Sequence, residues 1–281
     1  MKRYLINIIF FICMCLICPL KVYAEADFRV QKTINMEKTP LDVAVSERSL
    51  TLYVLTTGGI VYVYNSNGIL KGQIEVGKHI DGIAPGPSED YLILISKEKK
   101  TVQKILIEFM YNINIEGSPF KGKADAPIVI IVFTDYQCPA CSRLAPVLSQ
   151  VVEKNKDTVK FVIKNLPLPT HRNARNAAAA AITADSMGKF WELHEELYKN
   201  LRDLSIEKLR EIAAKLGLDP DEFEKEMRSQ KIQKKIDQDM EDAEKAEVTG
   251  TPAVFINGKQ YKKSTVEGLQ KAIDEQLKKL K

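Results

Sequence analysis

The stretch APIVIIVFTDYQCPACSRLAPVLSQ, residues 126–150, decides the fold of this chain. Its first half is a β-branched run from Ile128 to Phe133, which predicts a buried central strand. From its second half onward the chain carries apolar residues at helical spacing, from Leu144 to Val152. Cys138 therefore falls at the turn from strand to helix, and Pro139 takes the first helical position, which proline favours.

Two cysteines separated by two residues can bind a metal, form a structural disulfide or act as a redox pair. A structural zinc site needs about four ligands, but the chain has no second CxxC motif and none of its three histidines are spaced as H-x3-5-H. An iron–sulfur cluster needs more cysteines. A disulfide across so short a loop constrains the unfolded chain very little. The pattern therefore favours redox chemistry, and we expect neither a metal nor a cofactor.

The position of the pair assigns a role to each thiol. Cys138 lies at a helix N-terminus, where unpaired N–H groups and the helix dipole favour a thiolate. Cys141 follows one helical turn later on the same face, close enough to Cys138 to form a disulfide with it. We predict that Cys138 is the exposed nucleophile and Cys141 the shielded resolving thiol. Arg143 either stabilises the thiolate or points to solvent.

The N-terminus has the pattern of a secretory signal. Lys2 and Arg3 precede an apolar run, and small residues stand at a cleavage position after Ala24. The alternative is an uncleaved membrane anchor, although an uninterrupted run from Ile8 to Leu20 is short for a membrane span. Cleavage would remove three of the five cysteines and leave the CxxC pair in a compartment where disulfides persist.

A second motif, VTGTPAVFINGKQY at residues 248–261, predicts an antiparallel hairpin with a tight Asn257-Gly258 turn. The last segment, 264–280, has the pattern of a helix. Between the two motifs the chain is almost wholly helical by its apolar spacing.

Together, the CxxC pair, LPLPTH (166–171), GKFWELH (188–194) and GTPAVFINGK (250–259) resemble the DsbA-like family of secreted thiol–disulfide oxidoreductases, within the thioredoxin superfamily. The resemblance begins near residue 118 and implies an α/β thioredoxin fold over 116–281, with a helical insertion at about 171–247. It also implies that a cis-proline loop faces the reactive pair. The residues carried over are the reactive pair Cys138 and Cys141, the cis-proline Pro252, and Thr251, whose backbone would meet substrate.

The chain departs from the family at one position. Many relatives have a buried carboxylate six residues before the first cysteine, where this chain has Val132. Asp135 is a candidate supporting residue that could replace this carboxylate, or it could be a solvent-facing turn residue. His171 is a second candidate that lines the groove or has a capping or packing role. For His194 and Trp191 we expect core packing.

Residues 25–115 form a different, all-β region, which we interpret as a small domain of two blade-like repeats. LDVAVSERSLTLYVLT (41–56) aligns with IDGIAPGPSEDYLILI (80–95), and the spacing, with four short strands per unit, resembles β-propeller blades. Two blades cannot close a propeller. The region could form a homodimer, dock on the catalytic domain, bind a partner, or only cap or space that domain.

These patterns predict a periplasmic or otherwise extracytoplasmic thiol–disulfide oxidoreductase, most simply an oxidase. Its expected partners are cysteine-containing exported proteins and a membrane redox partner that regenerates the disulfide. The small net charge of +4 gives no reason to expect a nucleic acid. The alternatives are a disulfide isomerase or reductase, and a peptide-binding chaperone or adaptor without catalytic activity.

Overall fold

The structure is a computed structural model that describes residues 27–47, 49–88, 90–262 and 264–280. The predicted signal segment and its three cysteines lie outside the described residues. The chain divides into two compact units, Met1–Leu106 and Ile107–Lys281. The division precedes the boundary expected at 115/116, and the contacts of residues 107–115 explain the difference below.

The first unit is all-β, with antiparallel sheets, as expected. In its described part, one sheet has the order β1-β2-β3-β4 and the other has the order β5-β6-β7. The strands are β1 (Pro40–Val45), β2 (Leu52–Thr56), β3 (Ile60–Tyr64), β4 (Leu70–Glu75), β5 (Gly82–Pro85), β6 (Tyr91–Ser96) and β7 (Thr101–Leu106).

The two copies of the sequence repeat fold alike at their beginning. Residues 41–56 form the β1–β2 pair and residues 80–95 form nearly all of the β5–β6 pair. The expected fourth strand is present in the first sheet but not in the second, within the described residues. The reason is that the chain leaves this unit after β7. The Asp42 side chain joins the two sheets by accepting a hydrogen bond of 2.7 Å from the Ile83 N–H.

The second unit is built on a mixed sheet with the order β12-β11-β9-β10-β8 in the described residues. β9 pairs in parallel with β10, and the other neighbours pair antiparallel. The strands are β8 (Phe120–Gly122), β9 (Ile128–Thr134), β10 (Val159–Asn165), β11 (Ala253–Ile256) and β12 (Lys259–Tyr261). β9 is the central strand that the β-branched run predicts.

Helices cover both faces of this sheet. They are α1 (Pro139–Lys154), α2 (Ala174–Ser186), α3 (Phe190–Lys199), α4 (Ile206–Lys215), α5 (Pro220–Met227), α6 (Gln230–Lys245) and α7 (Val266–Lys279). Alternate residues of β9 point to opposite faces. Ile130 and Val132 join the core shared with α1, α7 and most of the helical insertion, whereas Ile131 and Phe133 join Ala243 and Ala246 at the end of α6.

A buried ionic cluster fastens α6 to the sheet. Lys164 of β10 is 0% exposed, lies 3.1 Å from Asp239 and also pairs with Asp242. Its ammonium group donates to the carbonyl of Asn114 at 2.7 Å as well. Lys235 pairs with Asp239 at 2.9 Å. Because the charges are matched and hydrogen-bonded, the cluster can be buried without leaving an uncompensated ion.

The segment after β7 belongs to the second unit because it pairs with the β11–β12 hairpin. Met110 forms a bridge with Lys259, and the Tyr111 N–H donates to the carbonyl of Gly258 at 2.8 Å. Ile113 is buried with the α6 side of the sheet. Gly258 has φ +81°, and a Cβ there would lie 2.5 Å from the Tyr111 carbonyl oxygen, so the turn requires glycine.

None of the helices in the described part of the chain combines the length and the apolar character that crossing a bilayer requires. Among the same residues, no three His, Cys, Asp or Glu side chains are arranged to hold a metal ion.

Candidate active site

The two cysteines lie where β9 turns into α1. Cys138 is the N-cap residue, with extended backbone angles, and Pro139 begins the helix. The Cys138 N–H donates to the carbonyl of Asp135 at 3.1 Å, and its own carbonyl accepts from the Ser142 N–H at 3.2 Å. Both thiols are free. α1 continues through Pro146 to Lys154 and packs its apolar face on the sheet.

Cys138 is less accessible than we expected. Only 7% of it is exposed, against 2% for Cys141. The reason is the loop before β11, since the Cys138 thiol donates to the carbonyl of Thr251 at 3.4 Å. The expected order of accessibility therefore holds, but the first thiol is covered as well as the second.

The pKa values of the two thiols are shifted in opposite directions. Burial acts to raise the pKa of Cys138, but the Cys141 N–H, the Thr251 side chain, the Cys141 thiol and the Ala140 N–H together hold that pKa below its usual value. Burial raises the pKa of Cys141 to about 11, although the side chains of Thr134 and Thr251 partly oppose this rise. The arrangement therefore favours a thiolate at Cys138 and a protonated thiol at Cys141.

The loop that faces the thiols contains the residues carried over from the resemblance. The Thr251–Pro252 peptide bond is cis. The Thr251 hydroxyl is buried and has no hydrogen-bond partner among the described residues. The structure thus brings Cys138, Cys141, Thr251 and Pro252 together.

Asp135 is buried, so the solvent-facing alternative for this residue is wrong. Its carboxylate accepts hydrogen bonds from the N–H groups of Gln137 at 2.7 Å and Leu168 at 2.8 Å, and from Nδ1 of His171 at 2.8 Å. Asp135 and His171, which the sequence analysis proposed as two independent candidates, are therefore in direct contact. Together they join the active-site turn to the 166–171 loop. Burial raises the pKa of Cys141, and Asp135 is among the residues that oppose this rise, through its backbone N–H.

A polar pair that the sequence reading missed lies beside Cys141. The hydroxyl groups of Thr134 and Tyr198 are 2.5 Å apart and both side chains are buried. Thr134 is the last residue of β9, and Tyr198 lies on α3 in the series Phe190, His194, Tyr198. This aromatic series, spaced i, i+4, i+8 along one helix face, was the sequence signal that could have pointed to Tyr198.

His194 and Trp191 pack in the core, as expected. His194 is buried among the rings of Tyr136, Phe190 and Tyr198, and its Nδ1 lies 3.0 Å from the Tyr136 hydroxyl. Burial lowers the pKa of His194 to about 4. Arg143 is exposed on α1.

A cavity of about 500 Å³ lies between α1, α3 and the sheet. Its walls include Cys141, Thr134, Val132 and Tyr198, and Pro252 borders it. The cavity therefore runs past the buried thiol and past Val132, the position where the resemblance implies a carboxylate in many relatives.

The comparisons with known proteins agree with this geometry. The sequence model of the family described as Thioredoxin matches residues 114–275. The Probable disulfide bond formation protein D of Bacillus cereus is 31% identical in an alignment of 173 positions that covers 56% of this chain and 78% of that protein. The Na(+)/H(+) antiporter NhaA 1 of Mycolicibacterium gilvum is 30% identical over 159 residues, which are 56% of this chain. The match spans about a quarter (26%) of the antiporter's length.

A solved structure confirms the fold. Oxidised BdbD from Bacillus subtilis superposes with a TM-score of 0.56 at 24% identity, over 61% of this chain and 98% of that one. The family match lies within the second unit. This chain therefore belongs to the thioredoxin family, and one of the relatives to which it is similar is a probable disulfide bond formation protein.

Proposed function

We propose that this protein is an extracytoplasmic thiol–disulfide oxidoreductase that oxidises the thiols of exported proteins. The observation that carries the proposal is the pair of free thiols with opposite pKa shifts, of which Cys138 donates to the Thr251 carbonyl. The name of the Bacillus cereus relative, a probable disulfide bond formation protein, favours the oxidising direction.

The exchange would proceed in two displacements. A substrate thiolate attacks the Cys138 sulfur of the oxidised pair, the Cys138–Cys141 bond breaks, and its electron pair leaves on Cys141. A second substrate thiolate then attacks the first substrate sulfur, forms the substrate disulfide and releases Cys138 as a thiolate. Its lowered pKa makes Cys138 the better leaving group in this last step.

The Thr251–Pro252 loop would bind the substrate backbone. Proline has no N–H, so the Thr251 end of the loop supplies the polar groups for an extended peptide laid beside Cys138. A membrane redox partner would then take the two electrons and restore the disulfide.

Export is part of the proposal, since the pair needs an oxidising compartment. We propose that a signal peptide is removed after Ala24. N-terminal sequencing of the protein recovered from the cell envelope would check this, because a mature chain that begins at Glu25 supports cleavage and an intact Met1 supports the membrane anchor.

We further propose that the first unit forms a homodimer. Leu41, Val43 and Val45 of β1 are exposed aliphatic residues on one side of that strand, and open sheets with apolar residues invite pairing. Sedimentation of the mature protein tests this. A dimer that Val43→Lys dissociates supports it, and a monomeric wild-type protein contradicts it.

Trapping tests the central proposal. Cys141→Ser lacks the thiol that resolves a mixed disulfide, so it should accumulate disulfide-linked substrate through Cys138. Cys138→Ser should trap nothing and should lose all disulfide exchange. If Cys138→Ser kept full biological activity, the chaperone or adaptor alternative would replace the redox function.

A further inference from the structure

We propose that Thr134 is a catalytic residue that donates a hydrogen bond to the Cys141 sulfur when this sulfur leaves as a thiolate, and that Tyr198 is a positioning residue that orients the Thr134 hydroxyl. The inference rests on the proposed function, because it concerns one step of disulfide exchange.

The need for such a donor follows from the surroundings of Cys141. The thiol is 2% exposed, within a cluster of buried apolar side chains. A buried anion without a hydrogen-bonding partner is costly. The position six residues before Cys138 is occupied by Val132, which faces the same core and offers neither a proton nor a hydrogen bond.

The two hydroxyl groups are placed to meet this need. Thr134 ends β9, its side chain lines the same cavity as Cys141, and it opposes the rise that burial causes in the pKa of Cys141. Tyr198 reaches Thr134 from α3, at 2.5 Å between the oxygens. All three side chains line the same cavity.

The direction of the hydrogen bonds follows from the chemistry of the sulfur. A thiolate can only accept, so the Thr134 hydrogen must point to Cys141. Tyr198 is then the donor to the Thr134 oxygen. Hydrogen bonds in such a chain polarise one another, so the tyrosine strengthens the bond that the threonine makes.

The step balances without any further reactant. A substrate thiolate forms a bond with the Cys138 sulfur, the bond between Cys138 and Cys141 breaks, and the negative charge passes from the substrate to Cys141. Thr134 stabilises this charge as it forms, in the transition state as well as in the product. In the resting reduced protein Cys141 is a neutral thiol, so the effect on the equilibrium is smaller than the effect on the rate.

The test measures the rate at which dithiothreitol reduces the oxidised full-length protein at pH 7. Thr134→Val removes the hydroxyl and keeps the shape, and a hydrogen bond to a charged group corresponds to a roughly tenfold to hundredfold loss of rate. Thr134→Ser should restore most of the rate. Tyr198→Phe should slow the reaction by about threefold to tenfold, since it weakens the donor without removing it.

Matched controls exist in the same unit. Thr183 is a buried threonine whose hydroxyl has no hydrogen-bond partner among the described residues, so Thr183→Val should leave the rate within about twofold of wild type. Tyr136→Phe removes a hydroxyl that contacts His194 in the same aromatic cluster and should behave likewise. The equilibrium constant with glutathione should change less than the rate in Thr134→Val, which a merely structural defect would not produce.

A Thr134→Val rate equal to wild type, or a Thr183→Val loss of equal size, would overturn the inference while the proposed function stands. If wild-type protein does not react with dithiothreitol, the proposed function fails and the inference fails with it. If Thr134→Val does not fold, Tyr198→Phe is the deciding variant. An unchanged reduction rate in Tyr198→Phe overturns the inference. A rate loss that Tyr136→Phe reproduces also overturns it.

Discussion

Asp135→Asn tests whether the buried carboxylate beside the active-site turn serves structure or proton transfer. The carboxylate accepts three hydrogen bonds, two from backbone N–H groups and one from His171. Asparagine has nearly the same shape but turns an N–H₂ group toward one of these donors. We therefore expect a loss of stability with little change in the chemistry of Cys141.

The magnitude can be worked from these contacts. A hydrogen bond to a charged group contributes about 1.5–3 kcal/mol, and one buried donor left without its acceptor costs a similar amount. We expect the free energy of unfolding to fall by about 3 kcal/mol. With a slope of about 2 kcal/mol/M, the unfolding midpoint in urea falls by roughly 1.5 M.

Tryptophan fluorescence is the assay for the second unit alone. The chain has one tryptophan, Trp191, which packs against the rings of Phe161, Phe190 and His194. The control is Asp203→Asn. Asp203 is an exposed aspartate that accepts one N–H bond from Ser205 at 3.1 Å, so this change should shift the midpoint by less than about 0.3 M.

The pH profile of Cys141 alkylation in a Cys138→Ser background supplies the second readout. If Asp135→Asn left the urea midpoint unchanged and altered this profile, Asp135 would be the proton acceptor of the buried thiol. The structural assignment of Asp135 would then be refuted.

Three further predictions concern charge. Burial lowers the pKa of His194 to about 4, so between about pH 6.5 and pH 4 the unfolded chain binds a proton that the folded chain does not. The free energy of unfolding should therefore decrease on acidification through that window, by up to about 3 kcal/mol, and His194→Gln should flatten this part of the curve; an unchanged slope would contradict it. Lys164→Met leaves Asp239 and Asp242 buried without their main cation and should cost about 3–5 kcal/mol in urea unfolding, whereas a wild-type midpoint would show that the cluster is not needed. The Cys138 thiolate is stabilised by backbone N–H groups and Thr251 rather than by a charged side chain, so equilibration with glutathione should give a potential of roughly −130 to −220 mV. A value near that of thioredoxin, about −270 mV, would favour a reductase.

The sequence alone determined the elements whose causes are local. The β-branched run of β9, the apolar spacing of α1 and Pro139 at its first position place Cys138 at a helix N-terminus without any distant contact. The Asn257-Gly258 turn is similarly local, since two consecutive residues with positive φ select these residue types. Such signals are carried by neighbours in the chain, and for that reason a sequence reading finds them.

Partners that are far apart in the sequence were decided only by the tertiary structure. Asp135 meets Leu168 and His171, and Thr134 meets Tyr198, which lies 64 residues away. No periodicity encodes these pairs, because they form only when β9, the 166–171 loop and α3 have packed around one core. The same holds for residues 107–115, which look like the end of the β region in sequence, although Met110 and Tyr111 pair with the β11–β12 hairpin. A backbone N–H or a buried carboxylate has no preferred partner in the sequence, and the fold alone decides which groups must satisfy one another.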